Sequence, residues 1–129
     1  MEVNTSKEIE VPIQVVRLLR IELVRQEMKE LLKQYNSKKE KSLDDILDFH
    51  YHFERIHPFQ DGNGRVGRLI MFKECLANKI VPFVITDDLK YFYYRGLSQW
   101  ELVRGYLRDT CLTAQDNYKK MLEYFKVNK

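Results

Sequence analysis

Helix breakers are confined to a few places in this chain, and that confinement limits the fold more than any other feature of the sequence. Three of the five glycines fall at 62, 64 and 67, and the three prolines stand at 12, 58 and 82. The long stretches between them are free to be helical. From Pro12 onward Val24, Met28, Leu31, Leu32 and Tyr35 recur at steps of four, three, one and three, which is one face of an amphipathic helix ending at Asn36-Ser37. Ser42 offers a cap for a second helix, with Asp44 and Asp45 near its positive end. Leu43, Ile46, Leu47, His50 and Phe53 form its inward stripe, and His50 reads as a satisfied core histidine. Pro58 disfavours helical geometry at His57, so this helix should end at Ile56.

After the glycines, Leu69, Ile70, Met71, Phe72, Cys75 and Leu76 are apolar on nearly all sides, which predicts a helix buried at the centre and closed by Asn78 and Pro82. Thr86 should cap a fourth helix with the stripe Leu89, Phe92, Tyr93, Leu97 and Trp100. A last helix carries Leu107, Cys111, Ala114, Tyr118, Met121, Leu122 and Phe125. No alternating strand pattern, repeat or linker is visible. The expected architecture is a single all-α domain over 13–129, a compact multi-helix core preceded by a loose arm at 1–12.

Composition narrows the function. The 129 residues suit one domain, and 22 basic against 19 acidic residues leave a formal charge of +3. That excess is too small and too dispersed for a nucleic-acid partner; the run Lys38-Lys39-Glu40-Lys41 reads as a solvated loop. No apolar run reaches the roughly 20 residues that span a bilayer, and no secretory signal is seen, so neither membrane nor export is expected and the default is cytoplasmic. Cys75 and Cys111 read as buried free thiols, which suits a reducing compartment, although the sequence leaves a disulfide between them open. A zinc site on His50, His52 and His57 is rejected, because His50 and His52 face different sides of a helix and the cysteines lack ligand spacing.

The segment between the second and third helices concentrates the chemistry. Gly62, Asn63 and Gly64 lie where a loop turns into a helix, whose first N–H groups lack internal partners and whose dipole is positive there. Glycines let an anion approach such a backbone closely, so the turn suits a phosphate. Arg65 and Arg68, three apart, can point to one side and bind further phosphate oxygens. Asp61 is a carboxylate placed for magnesium, which takes one or two carboxylates plus substrate phosphates. His57 can exchange a proton near neutral pH. Each of these residues alone has an ordinary structural reading; all of them within twelve consecutive residues supply what phosphoryl-type transfer requires.

The segment His57-Pro-Phe-Gln-Asp-Gly-Asn-Gly-Arg-Val-Gly-Arg68 matches every fixed position of the Fic motif, HxFx(D/E)GNGRxxR, and by it the chain resembles the Fic domain family. Asp45 to Ile56 is similar to the helix that precedes the Fic loop, and Tyr93-Tyr94-Arg95-Gly96-Leu97 to a tyrosine-rich stretch downstream; the likeness covers roughly 24 to 125. The resemblance implies a Fic-like core with the active-site loop between two central helices. It also implies a protein adenylyltransferase that moves AMP from ATP, with Mg2+, to Ser, Thr or Tyr of an unidentified target protein. In that reading His57 is the base, Asp61 the magnesium ligand and Gly62, Asn63 and Gly64 the phosphate cradle, with Asn63 helping to orient the α-phosphate. Arg65 and Arg68 bind the outer phosphates, Phe59 anchors the loop in the core and Tyr94 lines the nucleoside pocket.

Glycine at 64, where the related Doc kinases carry lysine, favours AMP over phosphoryl transfer, while phosphocholine or UMP donors stay open. The alternative is a nucleotide-binding core without turnover, and a hydrolase would need an extra glutamate that does not stand out. Two departures bear on regulation. No upstream β-hairpin flap is recognisable in residues 1 to 12. Ser6-Lys-Glu-Ile-Glu10 begins like the family's inhibitory helix, (S/T)xxxE(G/N), but Val11 breaks the pattern, so inhibition is expected from a separate segment or protein if it exists.

Overall fold

The computed structural model describes residues 11–127. Five α-helices follow one another: α1 (Ile13–Asn36), α2 (Leu43–Ile56), α3 (Asn63–Ala77), α4 (Lys90–Ser98) and α5 (Gly105–Val127). No strand occurs among the described residues, so the all-α expectation holds. Of the expected arm, Val11 and Pro12 lead into α1 without regular structure; residues 1–10, and with them the Ser6–Glu10 segment, lie outside the described residues.

The helix at the centre is α2, which packs on α1, α3 and α5, while α4 packs on α5. Its start is fixed by a reciprocal capping box: Ser42 Oγ accepts the Asp45 N–H at 3.2 Å and Asp45 Oδ2 accepts the Ser42 N–H at 2.9 Å. Ile46, Leu47, His50 and Phe53 are buried as expected, and Phe49 and Tyr51 join them. Polar ties fix α2 to the α4–α5 side. Arg108 grips Asp44 through two bonds of 2.8 and 2.5 Å, and the Trp100 indole N–H donates to Asp48 at 2.8 Å. The Arg108 bond holds the Asp44 carboxyl below its ordinary range. At Gly96 of α4 a Cβ would lie 2.6 Å from the Leu107 Cα, so only glycine permits this approach of α4 to α5.

Three expectations change. Helix α3 is not buried all round: Met71 and Cys75 enter the core, but Leu69 and Leu76 are 69% and 58% exposed. Its outward face has no described neighbour to cover it. Thr86 precedes a single 3-10 turn, Asp87–Leu89, rather than α4, and its hydroxyl bonds to the Asp88 carboxylate instead of capping a backbone N–H. Phe92, Leu32, Met121, Leu122 and Phe125 are exposed members of stripes expected to face inward. The periodicity of those stripes is right, but each packs over part of its length only. Cys75 and Cys111 are free and buried, as expected, and burial pushes the Cys75 thiol up to about 11.

Candidate active site

Helix α2 stops at His57, whose backbone turns left-handed at φ 56° while its N–H donates to the Phe53 carbonyl at 3.1 Å. Pro58 disfavours the right-handed helical region at His57, and the left-handed turn avoids it. A non-glycine residue in this region is uncommon and costs about 1 kcal/mol. The turn lifts the His57 side chain into solvent, where it makes no hydrogen bond or ion pair with another described residue. The imidazole is thus available to an incoming hydroxyl.

The six-residue loop from His57 to Gly62 is stapled by Asn63. Its amide oxygen accepts the Phe59 N–H at 2.8 Å and its amide nitrogen donates to the Phe59 carbonyl at 2.7 Å. Asn63 is buried, 3% exposed, whereas Phe59 is 49% exposed and its ring meets only the edge of the core, 6.4 Å from the Phe53 centroid. The Phe59 backbone thus ties the loop to Asn63, while the Phe59 ring is half exposed.

Gly62 then adopts φ 76°, a conformation glycine takes without strain. Helix α3 begins with no side-chain cap and no acid in its first turn, unlike α2 with its capping box and two aspartates. In place of acids stand Arg65 and Arg68. Arg65 Nη2 lies 3.4 Å from the position of a Cβ on Gly62, and Arg68 Nη1 lies 3.0 Å from one on Gly64. Both guanidinium groups therefore fold back over the glycine turn, in the space side chains would otherwise fill. They also border one groove of about 420 Å³ with Leu69, Phe72 and Phe83, so the structure brings them together as their spacing suggested. A second groove of about 250 Å³ runs beside His57, Pro58, Phe59 and Gln60, with Arg17 and Arg20 of α1 on its other wall.

Asp61 is exposed and bonds to no other described residue. Tyr94, 56% exposed, borders a separate groove of about 360 Å³ with Tyr51, Glu54, Arg55 and Leu97. The structure therefore does not place it beside Arg65. Beneath the loop lies a polar cluster that the sequence only half disclosed. The His50 ring is 1% exposed; its Nδ1–H donates to the Gly67 carbonyl at 3.2 Å and its Nε2 accepts the Tyr93 hydroxyl. Burial drives the His50 pKa down to about 4, so the ring is neutral. Glu54 adjoins this cluster; its spacing of four from His50 on the same helix was the available signal.

The family model for the Fic/DOC family matches residues 7–75, more than half of the chain, taking in α2, the loop and nearly all of α3. The chain belongs to the Fic/DOC family. It is 40% identical over 55 residues to a probable protein adenylyltransferase of Aquifex aeolicus, covering 40% of this chain and 17% of that protein. It is likewise 40% identical over 50 residues to the protein adenylyltransferase Fic of Nematostella vectensis, covering 39% of this chain and 12% of that protein. The matched segment thus spans less than a fifth of either relative.

Proposed function

We propose that this chain transfers AMP from ATP to a hydroxyl side chain of a target protein. The observation that carries the reading is the uncapped start of α3, covered by two arginines and preceded, across a six-residue loop, by an exposed histidine that makes no hydrogen bond or ion pair with another described residue. Free backbone N–H groups, a positive helix end and two guanidinium groups suit a polyphosphate. His57 takes the proton of the target hydroxyl, whose oxygen then bonds to the α-phosphorus. The bond from that phosphorus to the bridging oxygen breaks, and pyrophosphate leaves with the electron pair. The cradle at Gly62 to Gly64 holds the α-phosphate, while Arg65 and Arg68 take the charge that grows on the leaving group.

Gly64 supports nucleotide transfer over kinase chemistry by the resemblance, in which the Doc kinases carry lysine at this position; here Arg68 Nη1 lies 3.0 Å from a Cβ position on it. The residues present also fit magnesium. Asp61 offers one carboxylate unengaged by other described residues, and magnesium accepts one or two carboxylates when substrate phosphates complete its shell. When bound, the ion would neutralise phosphate charge. A nucleoside role for Tyr94 rests on the resemblance alone, since Tyr94 borders a groove separate from the one beside Arg65 and Arg68. No described helix is long and apolar enough to cross a membrane; two free buried thiols favour the cytoplasm.

The test is peptide mass spectrometry of lysate proteins after incubation with the chain, ATP and magnesium. AMP on Ser, Thr or Tyr is the expected product. ATP bound calorimetrically with no modified peptide would instead identify a nucleotide-binding core without turnover, and modification from UTP or a phosphocholine donor alone would reassign the group transferred.

A further inference from the structure

The groove beside His57 has walls of different origin. The loop supplies one, with His57 and Phe59, and α1 the other, with Arg17, Arg20, Ile21 and Val24. These four α1 residues stand at i, i+3, i+4 and i+7 and so share one helix face. The face changes character along its length: the two arginines occupy one turn and the two aliphatic residues the next. From Arg17 to Val24 it runs about 10 Å along the helix axis, the length of roughly three extended residues.

Both arginines are exposed, and neither makes a hydrogen bond or ion pair with another described residue. Glu22, which lies between them and Arg25 in the sequence, is paired with Arg25 at 3.9 Å. Like charges one turn apart on a helix repel, so a carboxylate seated against both guanidinium groups gains from each. Arg65 and Arg68 border a different groove, so the nucleotide and the α1 wall have separate cations. Ile21 and Phe59 leave apolar surface open on the two walls, 54% and 49% exposed.

We propose that this groove receives the segment of the target protein that carries the hydroxyl, and that the segment is acidic. A carboxylate within about three residues of the hydroxyl pairs with Arg17 and Arg20, an apolar neighbour rests between Ile21 and Phe59, and the hydroxyl is presented to His57. The inference rests on the proposed transfer of AMP and adds to it the chemistry that flanks the modified residue. Arg17 and Arg20 select the target; they take no part in the proton transfer or in binding the phosphates.

The test maps AMP-bearing sites by peptide mass spectrometry after lysate proteins are incubated with Mg-ATP and either wild type or a double variant. Around the sites made by wild type, Asp and Glu are expected to be enriched several-fold over their frequency around all Ser, Thr and Tyr of the same lysate. The double variant Arg17→Glu, Arg20→Glu reverses the charge of the wall and should shift the preference to Lys and Arg, an outcome that mere loss of structure does not produce. Arg17→Gln, Arg20→Gln, the second variant, should lose the acidic preference without gaining a basic one, and KM for ATP stays at the wild-type value in both. No acidic enrichment in wild type, a preference that survives both double variants, or equal loss at acidic and other sites in both would overturn the acidic-segment assignment while leaving AMP transfer intact. A wild-type protein that places AMP on no lysate protein overturns the transfer reading, and this inference with it.

Discussion

His57, Arg68 and His50 show how differently single side chains carry the account. His57 touches the reacting hydroxyl in the proposed mechanism, so His57→Ala is expected to lower kcat by roughly 10²- to 10⁴-fold, the usual contribution of a positioned base, with ATP affinity kept. Arg68→Ala should do the reverse and raise KM for ATP; initial rates over a matrix of ATP concentrations distinguish the two. His50 contributes stability with a definite pH dependence. Its folded pKa is depressed to about 4 from 6.5, so between those values the unfolded chain binds the proton and the folded one does not. The contribution is complete above pH 6.5 and is lost as pH falls toward 4, by on the order of 3 kcal/mol at 1.36 kcal/mol per unit. Glu54, raised by burial, has the opposite slope. Comparison of melting temperature against pH for wild type and His50→Gln isolates the histidine term, and the variant should show the shallower fall. The motif residues were legible one by one, because their chemistry and spacing are local. The His50–Tyr93 bond was not, because it depends on which helices meet.

Among the elements, α2 was the most legible. Its apolar stripe, its Ser42–Asp45 cap and its end before Pro58 all agree with the structure, since each is set within a few residues. Ser42→Ala should cost about 1 kcal/mol by removing the cap, measurable by urea denaturation with an unchanged m-value. Helix α3 is apolar on nearly all sides, a pattern that predicts burial, yet its place at the edge of the packed elements leaves Leu69 and Leu76 exposed. The contact of α4 with α5 was invisible in sequence: nothing local marks Gly96 as the point where the Leu107 backbone comes close. Gly96→Ala must therefore separate the two helices and should cost about 1–3 kcal/mol, the usual penalty for overfilling a packed contact. A melting temperature equal to wild type would show that the close approach is dispensable.

At the scale of the molecule, packing is concentrated around α2. The main cluster joins α2, α3, α4 and α5 through residues such as Leu47, Cys75, Tyr93 and Leu107, and a smaller one under the loop joins Leu31 to Phe49 and Phe53. The first half of α1 belongs to neither: Ile13, Leu18, Ile21 and Leu23 are all more than half exposed. Hydrogen exchange should therefore be fast over residues 13–23 and slow in α2, because local opening costs least where few apolar contacts are lost. Fold class was legible in sequence because helical periodicity is a local property; the division into a packed centre and open helix ends is not. The central claim is that the turn from His57 to Arg68 moves the α-phosphate of ATP. The measurement that tests it most directly uses ATP labelled at the α or the γ position, with magnesium and host lysate, for wild type and His57→Ala. Label on protein from the α position alone, absent with His57→Ala, is the predicted result; label from the γ position, or α label that survives the substitution, would contradict the account.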